Sequence, residues 1–159
     1  MKINVYIATQ QLELFDDAGK LLRRYTVSTA ANGPGETLDS HCTPRGKHII
    51  RARIGAGQPE NTVFVSRRAT GEIYTQELGA QFPGRDWILT RILWLSGCEA
   101  GFNRSGKRDT MRRYIYIHGT PDSVQLGKPY SHGCIRMRNA DLIELFDLVP
   151  AGTAVEIFG

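Results

Sequence analysis

Hydrophobic and polar residues alternate with a period of two along most of this chain, the pattern of strands that bury one face. Ile3, Val5 and Ile7 alternate with Asn4 and Tyr6. Leu12 and Leu14, then Leu21, Tyr25 and Val27, flank Asp16-Asp17-Ala18-Gly19, which predicts a hairpin. Residues 30–35 read as loop, Thr43-Pro44-Arg45-Gly46 as a second turn, and residues 48–54 as the next strand. A further hairpin is expected between residues 63–66 and 72–74, turning around Gly71. Residues 87–95 form the most apolar run; Pro83-Gly84 before it, Gly97 after it and its aromatic and β-branched content favour a strand. Residues 99–109 are polar loop. Residues 114–118 alternate cleanly, which puts Tyr114, Tyr116 and His118 on one face and Ile115 and Ile117 on the other, with His118 at a strand end.

Only one segment has helical spacing. Leu142, Leu145, Phe146 and Val149 form an i, i+3, i+4, i+7 stripe, with Asn139 as the expected cap, Asp141 in the first turn and Pro150 as the stop. A last strand covers residues 154–158. With no repeat, low-complexity tract or linker, the expectation is a single domain over residues 1–159, mainly β, sandwich-like or barrel-like, with one packed C-terminal helix.

Length and composition agree. A chain of 159 residues, 41% hydrophobic and 23% charged, can bury one core and does not read as disordered, fibrous or membrane-embedded. Its net charge of +4 suits a small anionic substrate but falls short of a nucleic-acid footprint. Arg67-Arg68, Arg104 to Arg108 and Arg112-Arg113 lack an aromatic platform and read as solvated faces, so neither nucleic acid nor a membrane is expected as a partner. The opening residues lack a signal-peptide core, which implies a cytoplasmic setting if the N-terminus is native and a periplasmic one if a leader was removed. The three cysteines cannot all pair, and His41, Cys42, His48 and Cys98 fit no structural zinc spacing, so no disulfide framework, metal or cofactor is expected.

The chemistry concentrates in Ser131-His132-Gly133-Cys134, with His118-Gly119-Thr120 ahead of it. A thiol becomes a good nucleophile as a thiolate, and a neighbouring imidazole can take its proton. Gly133 permits a tight turn before Cys134, after which consecutive N–H groups could point at the oxygen of an attacked carbonyl. A lone cysteine is most often a small buried hydrophobe. A Ser-His-Gly-Cys run, however, suits neither strand nor helix and is hard to explain by packing.

Ile117-His118-Gly119-Thr120 followed by Ser131-His132-Gly133-Cys134-Ile135-Arg136-Met137 resembles the signature of the L,D-transpeptidase catalytic domain family. The likeness extends to the opening hairpin, the Thr43-Pro44-Arg45-Gly46 turn and the closing helix, and is weakest over residues 55–84. It implies Cys134 as nucleophile and His118 as base, with the Gly119 carbonyl orienting His118, His132 and Ser131 lining the site, and the Gly133 and Cys134 N–H groups holding the oxyanion. The family attacks the bond between diaminopimelate and D-Ala in peptidoglycan stem peptides through a thioester. Transfer of the acyl group to water is L,D-carboxypeptidase activity, the outcome expected here, on a tetrapeptide or muropeptide during peptidoglycan recycling. Transfer to an amine would make a 3-3 cross-link, and an inactive cell-wall-binding module is the third reading. Covalent inhibition by carbapenems is also implied.

One position departs from the family pattern: many transpeptidases have Asn where this chain has Arg136. Arg136 is accordingly expected to bind a substrate carboxylate, with Arg91 a second candidate. The competing expectation is that Arg136 braces the loop through carbonyls or Asp141.

Overall fold

The alternating segments pair into one continuous sheet in the computed structural model, which describes residues 1–159. Its strands are β1 (Lys2–Tyr6), β2 (Gln11–Phe15), β3 (Leu21–Ser28), β4 (Gly46–Ile54), β5 (Thr62–Val65), β6 (Arg68–Ile73), β7 (Ile88–Gly97), β8 (Tyr116–Gly119), β9 (Ile135–Met137) and β10 (Ala154–Phe158). Two α-helices, α1 (Gln76–Gln81) and α2 (Asn139–Leu148), and a single 3-10 turn, Gly106–Arg108, complete the regular structure. Eight strands run in the order β4-β10-β1-β2-β3-β9-β8-β7, and β7 pairs back onto β4 to close a barrel. Closure removes the unpaired edges that an open sheet would expose. The β5–β6 hairpin is attached to the start of β7, where Val63 faces Leu89 and Phe64 faces Ile88.

Period-two alternation fills the interior. Ile3 faces Leu14 on one neighbour and Val155 on the other, while Val5 faces Leu12 and Ile157. These side chains share one buried core with Ile50, Leu93, Leu95, Ile117, Ile135, Met137 and, from α2, Leu142, Leu145, Phe146 and Val149. The mainly β fold with one main helix is therefore as expected. The first hairpin also turns at its expected place: Asp16 Oδ1 accepts from the N–H groups of Ala18 (2.9 Å) and Lys20 (2.8 Å).

Three local expectations need correction. The second hairpin turns at Ser66-Arg67, not at Gly71, because Val65 pairs with Arg68. Gly71 instead lies in a bulge, where Ala69 to Ile73 on β6 oppose Phe64 to Thr62 on β5, and its φ of +88° is a conformation glycine adopts freely. The short helix α1 was not expected, since none of its residues is buried and it shows no apolar stripe; the Thr75 hydroxyl caps it by accepting from Leu78 N–H at 3.1 Å. The N-cap of α2 is Arg138, and Asn139 is the first helical residue.

Asn139 is occupied elsewhere. Its Oδ1 accepts from Thr90 Oγ1 at 2.7 Å, and its Nδ2 donates to Thr120 O at 3.1 Å and Asn61 Oδ1 at 3.0 Å. Thr90 sits in a bulge of β7 at φ +76°, costly for a β-branched residue and held in place by these bonds. The buried amide thus fastens α2, the β7 bulge and the end of β8 to one another. Asn139→Ala should lower stability by about 2–4 kcal/mol in urea unfolding, because it strands buried polar partners; a loss below 0.5 kcal/mol would show that the fastening is dispensable.

Candidate active site

Which strand face a residue occupies decides what it meets. Ile115 and Ile117 enter the barrel core, so Tyr116 and His118 point to the outside of the barrel wall. On the neighbouring strand Ile135 and Met137 enter the same core, which leaves Cys134 and Arg136 on the outer face. The strands are parallel, with His118 level with Arg136 and Ile117 level with Ile135. Cys134, one residue before β9, is therefore the diagonal neighbour of His118, a relation in which long side chains can meet.

Gly133 precedes the cysteine at φ +132°, and a Cβ there would stand 3.3 Å from Cys42 O and 3.4 Å from Ile115 Cδ1, so glycine is required. Ser131 Oγ donates to Cys134 O at 2.5 Å and accepts from Gly133 N–H at 3.2 Å, while Thr43 Oγ1 donates to Gly133 O at 2.9 Å. Ser131 therefore shapes the loop. The Gly133 N–H is turned to that hydroxyl, and of the two N–H groups expected to face an oxyanion only that of Cys134 has no protein acceptor.

His118 is buried, and its Nδ1–H donates to Gly119 O at 2.7 Å, which leaves Nε2 as the acceptor. Gly119 is packed tightly: a Cβ there would lie 2.6 Å from Leu89 O and would collide with Asn139 Oδ1. Burial lowers the pKa of His118 below the ordinary 6.5, against the raising effects of the Gly119 carbonyl and Asp86. The half-buried Cys134 thiol accepts from Tyr116 N–H at 3.3 Å and donates to Tyr114 O at 3.4 Å. Burial pushes its pKa up to about 12, although the Tyr116 N–H favours the thiolate. The resting pair is consequently neutral thiol and neutral imidazole, the sulfur held between Tyr114 O and Tyr116 N–H and the Nε2 of His118 without a protein partner; catalytic contacts of this kind tighten in the substrate complex.

Cys134 lines an open cavity of 390 Å³ together with Ser66, Arg67, Asp86, Ile88, Arg113, Tyr114, Ile115, Tyr116 and His132. A second cavity of 250 Å³, bounded by Trp87, Thr120, Pro121, Arg85 and Arg136, meets the first at Asp86 and His132. His132 is exposed at that junction, its Nδ1 3.6 Å from Asp86 Oδ2. Arg136 reaches the site but is already engaged, donating to Asp86 Oδ1 at 3.1 Å and Tyr130 O at 3.2 Å. Its geometry matches the bracing alternative, with Asp86 in the place expected for Asp141. Burial disfavours the charged form of Asp86, but His118, Arg136 and His132 outweigh it and hold its pKa below the ordinary value.

Arg91 is not part of this cluster. It sits in the β7 bulge, donates to Gln58 O (2.8 Å) and Thr90 O (2.6 Å), and lies 5.5 Å from the centre of the Phe146 ring. A carboxylate binder at the sulfur cannot be built from a guanidinium held by those carbonyls over that ring. Conversely, Asp86, Arg67 and Arg113 were not singled out as site residues. Arg113 looked like half of a solvated basic pair, yet it is half-buried against Gly35 O, Ser40 Oγ and Cys42 O. Nothing in its local sequence distinguishes it, since those partners lie more than 70 positions away.

Comparison with known proteins gives a consistent result. Residues 1–157 match the model of the L,D-transpeptidase catalytic domain. YqjB of Bacillus subtilis (strain 168), which carries an L,D-transpeptidase name, is 32% identical over 133 residues, 84% of this chain and 57% of its own. YkuD of the same organism, similarly named, is 50% identical over 46 residues, 29% of this chain and 28% of its own. The solved structure of L,D-transpeptidase 3 from Mycobacterium tuberculosis with a faropenem-derived adduct covers 99% of this chain and 59% of its own at TM-score 0.59 and 14% identity, a likeness of fold. This chain thus spans less than two thirds of each of these relatives.

The neutral resting pair has a measurable consequence. Alkylation of Cys134 by iodoacetamide, followed by mass spectrometry of its peptide, should accelerate roughly tenfold per pH unit from pH 8 to beyond pH 10, because each unit multiplies the thiolate fraction until the raised pKa is reached. A plateau below pH 9 would instead reveal a thiolate stabilised by His118.

Proposed function

The chain belongs to the L,D-transpeptidase catalytic domain family, and from that premise we propose that it is a cysteine acyl-transfer enzyme cleaving the bond between diaminopimelate and D-Ala of peptidoglycan stem peptides, chiefly to water. The observation that supports this reading is the placement of His118 and Cys134 on the outer face of neighbouring parallel strands, with Cys134 lining an open cavity and the Nδ1 of His118 already committed to Gly119 O. A base so held has one free nitrogen, Nε2, and the thiol on the neighbouring strand donates only to a carbonyl, Tyr114 O.

In the reaction Nε2 of His118 takes the thiol proton as Sγ of Cys134 adds to the carbonyl of the third residue. The Cys134 N–H, free of a protein acceptor, supports the oxyanion. Collapse of the intermediate breaks the C–N bond, and His118 returns the proton to the departing D-Ala amine, leaving a thioester on Cys134. A water molecule deprotonated by His118 then attacks the thioester and yields tripeptide and free enzyme. The neutral resting thiol suits this concerted route, since no charge must be buried before the substrate arrives.

Water is favoured over an amine as acceptor by the charge around the second cavity. Arg85 and Arg136 line it, each already paired with a carboxylate, Glu72 and Asp86 respectively, so it offers no unpaired carboxylate to seat an amine that reaches the enzyme as a cation. The second cavity is nevertheless the feature that supports the alternative, transfer to another stem peptide in a 3-3 cross-link. By the same acyl chemistry, a carbapenem should acylate Cys134. An inactive cell-wall-binding module has no use for an oriented base beside a thiol.

Incubation with disaccharide tetrapeptide, with and without a donor amine, should give tripeptide and free D-Ala by mass spectrometry; cross-linked dimer as the main product would establish the alternative. Cys134→Ala should abolish turnover, and His118→Ala should lower kcat by about 10²–10⁴. Because burial depresses the pKa of His118 below its ordinary 6.5, the acid limb of kcat/KM should have its midpoint below that value.

A further inference from the structure

The arginines around the sulfur differ in what they already hold. Arg136 has a carboxylate, Asp86, and Arg113 has two carbonyls and a hydroxyl. Arg67, half-buried in the wall of the Cys134 cavity, donates only through Nη1, to Tyr116 Oη at 2.9 Å; no protein group accepts from its Nε or Nη2, and no carboxylate neutralises it. Its guanidinium is fixed in place, 4.6 Å from the centre of the Tyr114 ring and 5.0 Å from that of Trp94.

The backbone beneath it is strained. Ser66 (φ +49°) and Arg67 (φ +64°) form the two-residue turn of the β5–β6 hairpin, and both adopt the left-handed conformation that Asn-Gly would occupy at least cost. Strain of this kind persists where the surroundings over-determine it, and it accompanies sites that position a group. Here the positioned group is a forked, uncompensated cation beside a thiol.

Its side of the sulfur follows from the order along the chain. The sulfur lies against Tyr114 O and Tyr116 N–H, and His118 is two residues further along β8. Arg67 covers Tyr114 and binds Tyr116, so it stands on the flank away from His118. The leaving amine must receive its proton from His118, which puts the acyl part of the substrate on the Arg67 flank. On the functional reading above, on which this inference rests, that acyl residue is diaminopimelate, whose side chain ends in a carboxylate.

We propose that Arg67 is a specificity residue that binds the terminal side-chain carboxylate of the acyl donor. A planar guanidinium with two open donors can grip it in a forked geometry, which a lysine could not reproduce.

The test compares two tetrapeptide donors, one with diaminopimelate and one with L-Lys at the third position, the second lacking the carboxylate. Wild-type enzyme should favour the first by about 10–100-fold in kcat/KM, the range of a charge-assisted hydrogen bond. In Arg67→Gln that preference should shrink to less than about threefold, with Arg67→Lys in between. A preference that survives Arg67→Gln, an equal loss on both donors, or a wild-type enzyme that does not discriminate would each overturn the assignment while leaving the acyl-transfer reading standing. Failure of the wild-type enzyme to cleave either donor, with Cys134 intact by mass, would sink the functional reading itself.

Discussion

Two side chains on adjacent parallel strands share a face in one register and lose it after a slip of a single residue. The β8–β9 pairing spans only three residue pairs, Ile117 with Ile135, His118 with Arg136 and Gly119 with Met137. Everything at the site hangs on that short ladder. Four apolar side chains, Ile115, Ile117, Ile135 and Met137, lock it by entering the barrel core, and each inward residue fixes an outward neighbour. The hydrophobic core therefore sets the chemistry indirectly: it cannot be satisfied without turning Tyr116, His118, Cys134 and Arg136 to the same outer surface.

Around that ladder, loops far apart in sequence are tied by hydrogen bonds. Thr43 accepts Ala30 N–H at 2.9 Å and donates to Gly133 O, so the loop after β3 and the loop before β9 hold each other. Arg113 clamps the same region through Gly35 O and Cys42 O, and buried Glu36 takes Arg45 (2.9 Å) and Arg108 (3.0 Å) together. Asn139 performs the corresponding task on the other side, between Thr90, Thr120 and Asn61. Its contact with Gly119 places the carbonyl that orients His118, which links the start of α2 to the tautomer of the base.

The electrostatics have two layers. Burial keeps thiol and imidazole neutral at rest, opposing the thiolate–imidazolium form that exposed cysteine sites can adopt. The cavity wall, by contrast, carries the charges of Arg67 and Arg113, and Asp86 is spent on Arg136 and His132. A wall of this kind favours anionic groups, while burial leaves the thiol and the imidazole uncharged.

Much of this was legible in the chain itself. Strand patterns marked seven of the eight barrel strands, β7 by its unbroken apolar run, while three-residue β9 is too short to show a period and was not anticipated; the stripe of Leu142, Leu145, Phe146 and Val149 identified α2, because local burial patterns repeat with the geometry of the element. The two short motifs around His118 and Cys134 pointed to the family, since glycine-flanked polar residues have few structural reasons to occur together. What the sequence left open were partners distant along the chain. Whether Arg136 was free or held by Asp86, that Arg91 was drawn over Phe146, that Asn139 served the β7 bulge instead of a helix cap, and that Arg67 stood in the cavity were all decided by closure of the barrel. A side chain's local pattern tells which face it occupies; only the tertiary structure supplies the partner that either satisfies its charge or leaves it open for a ligand.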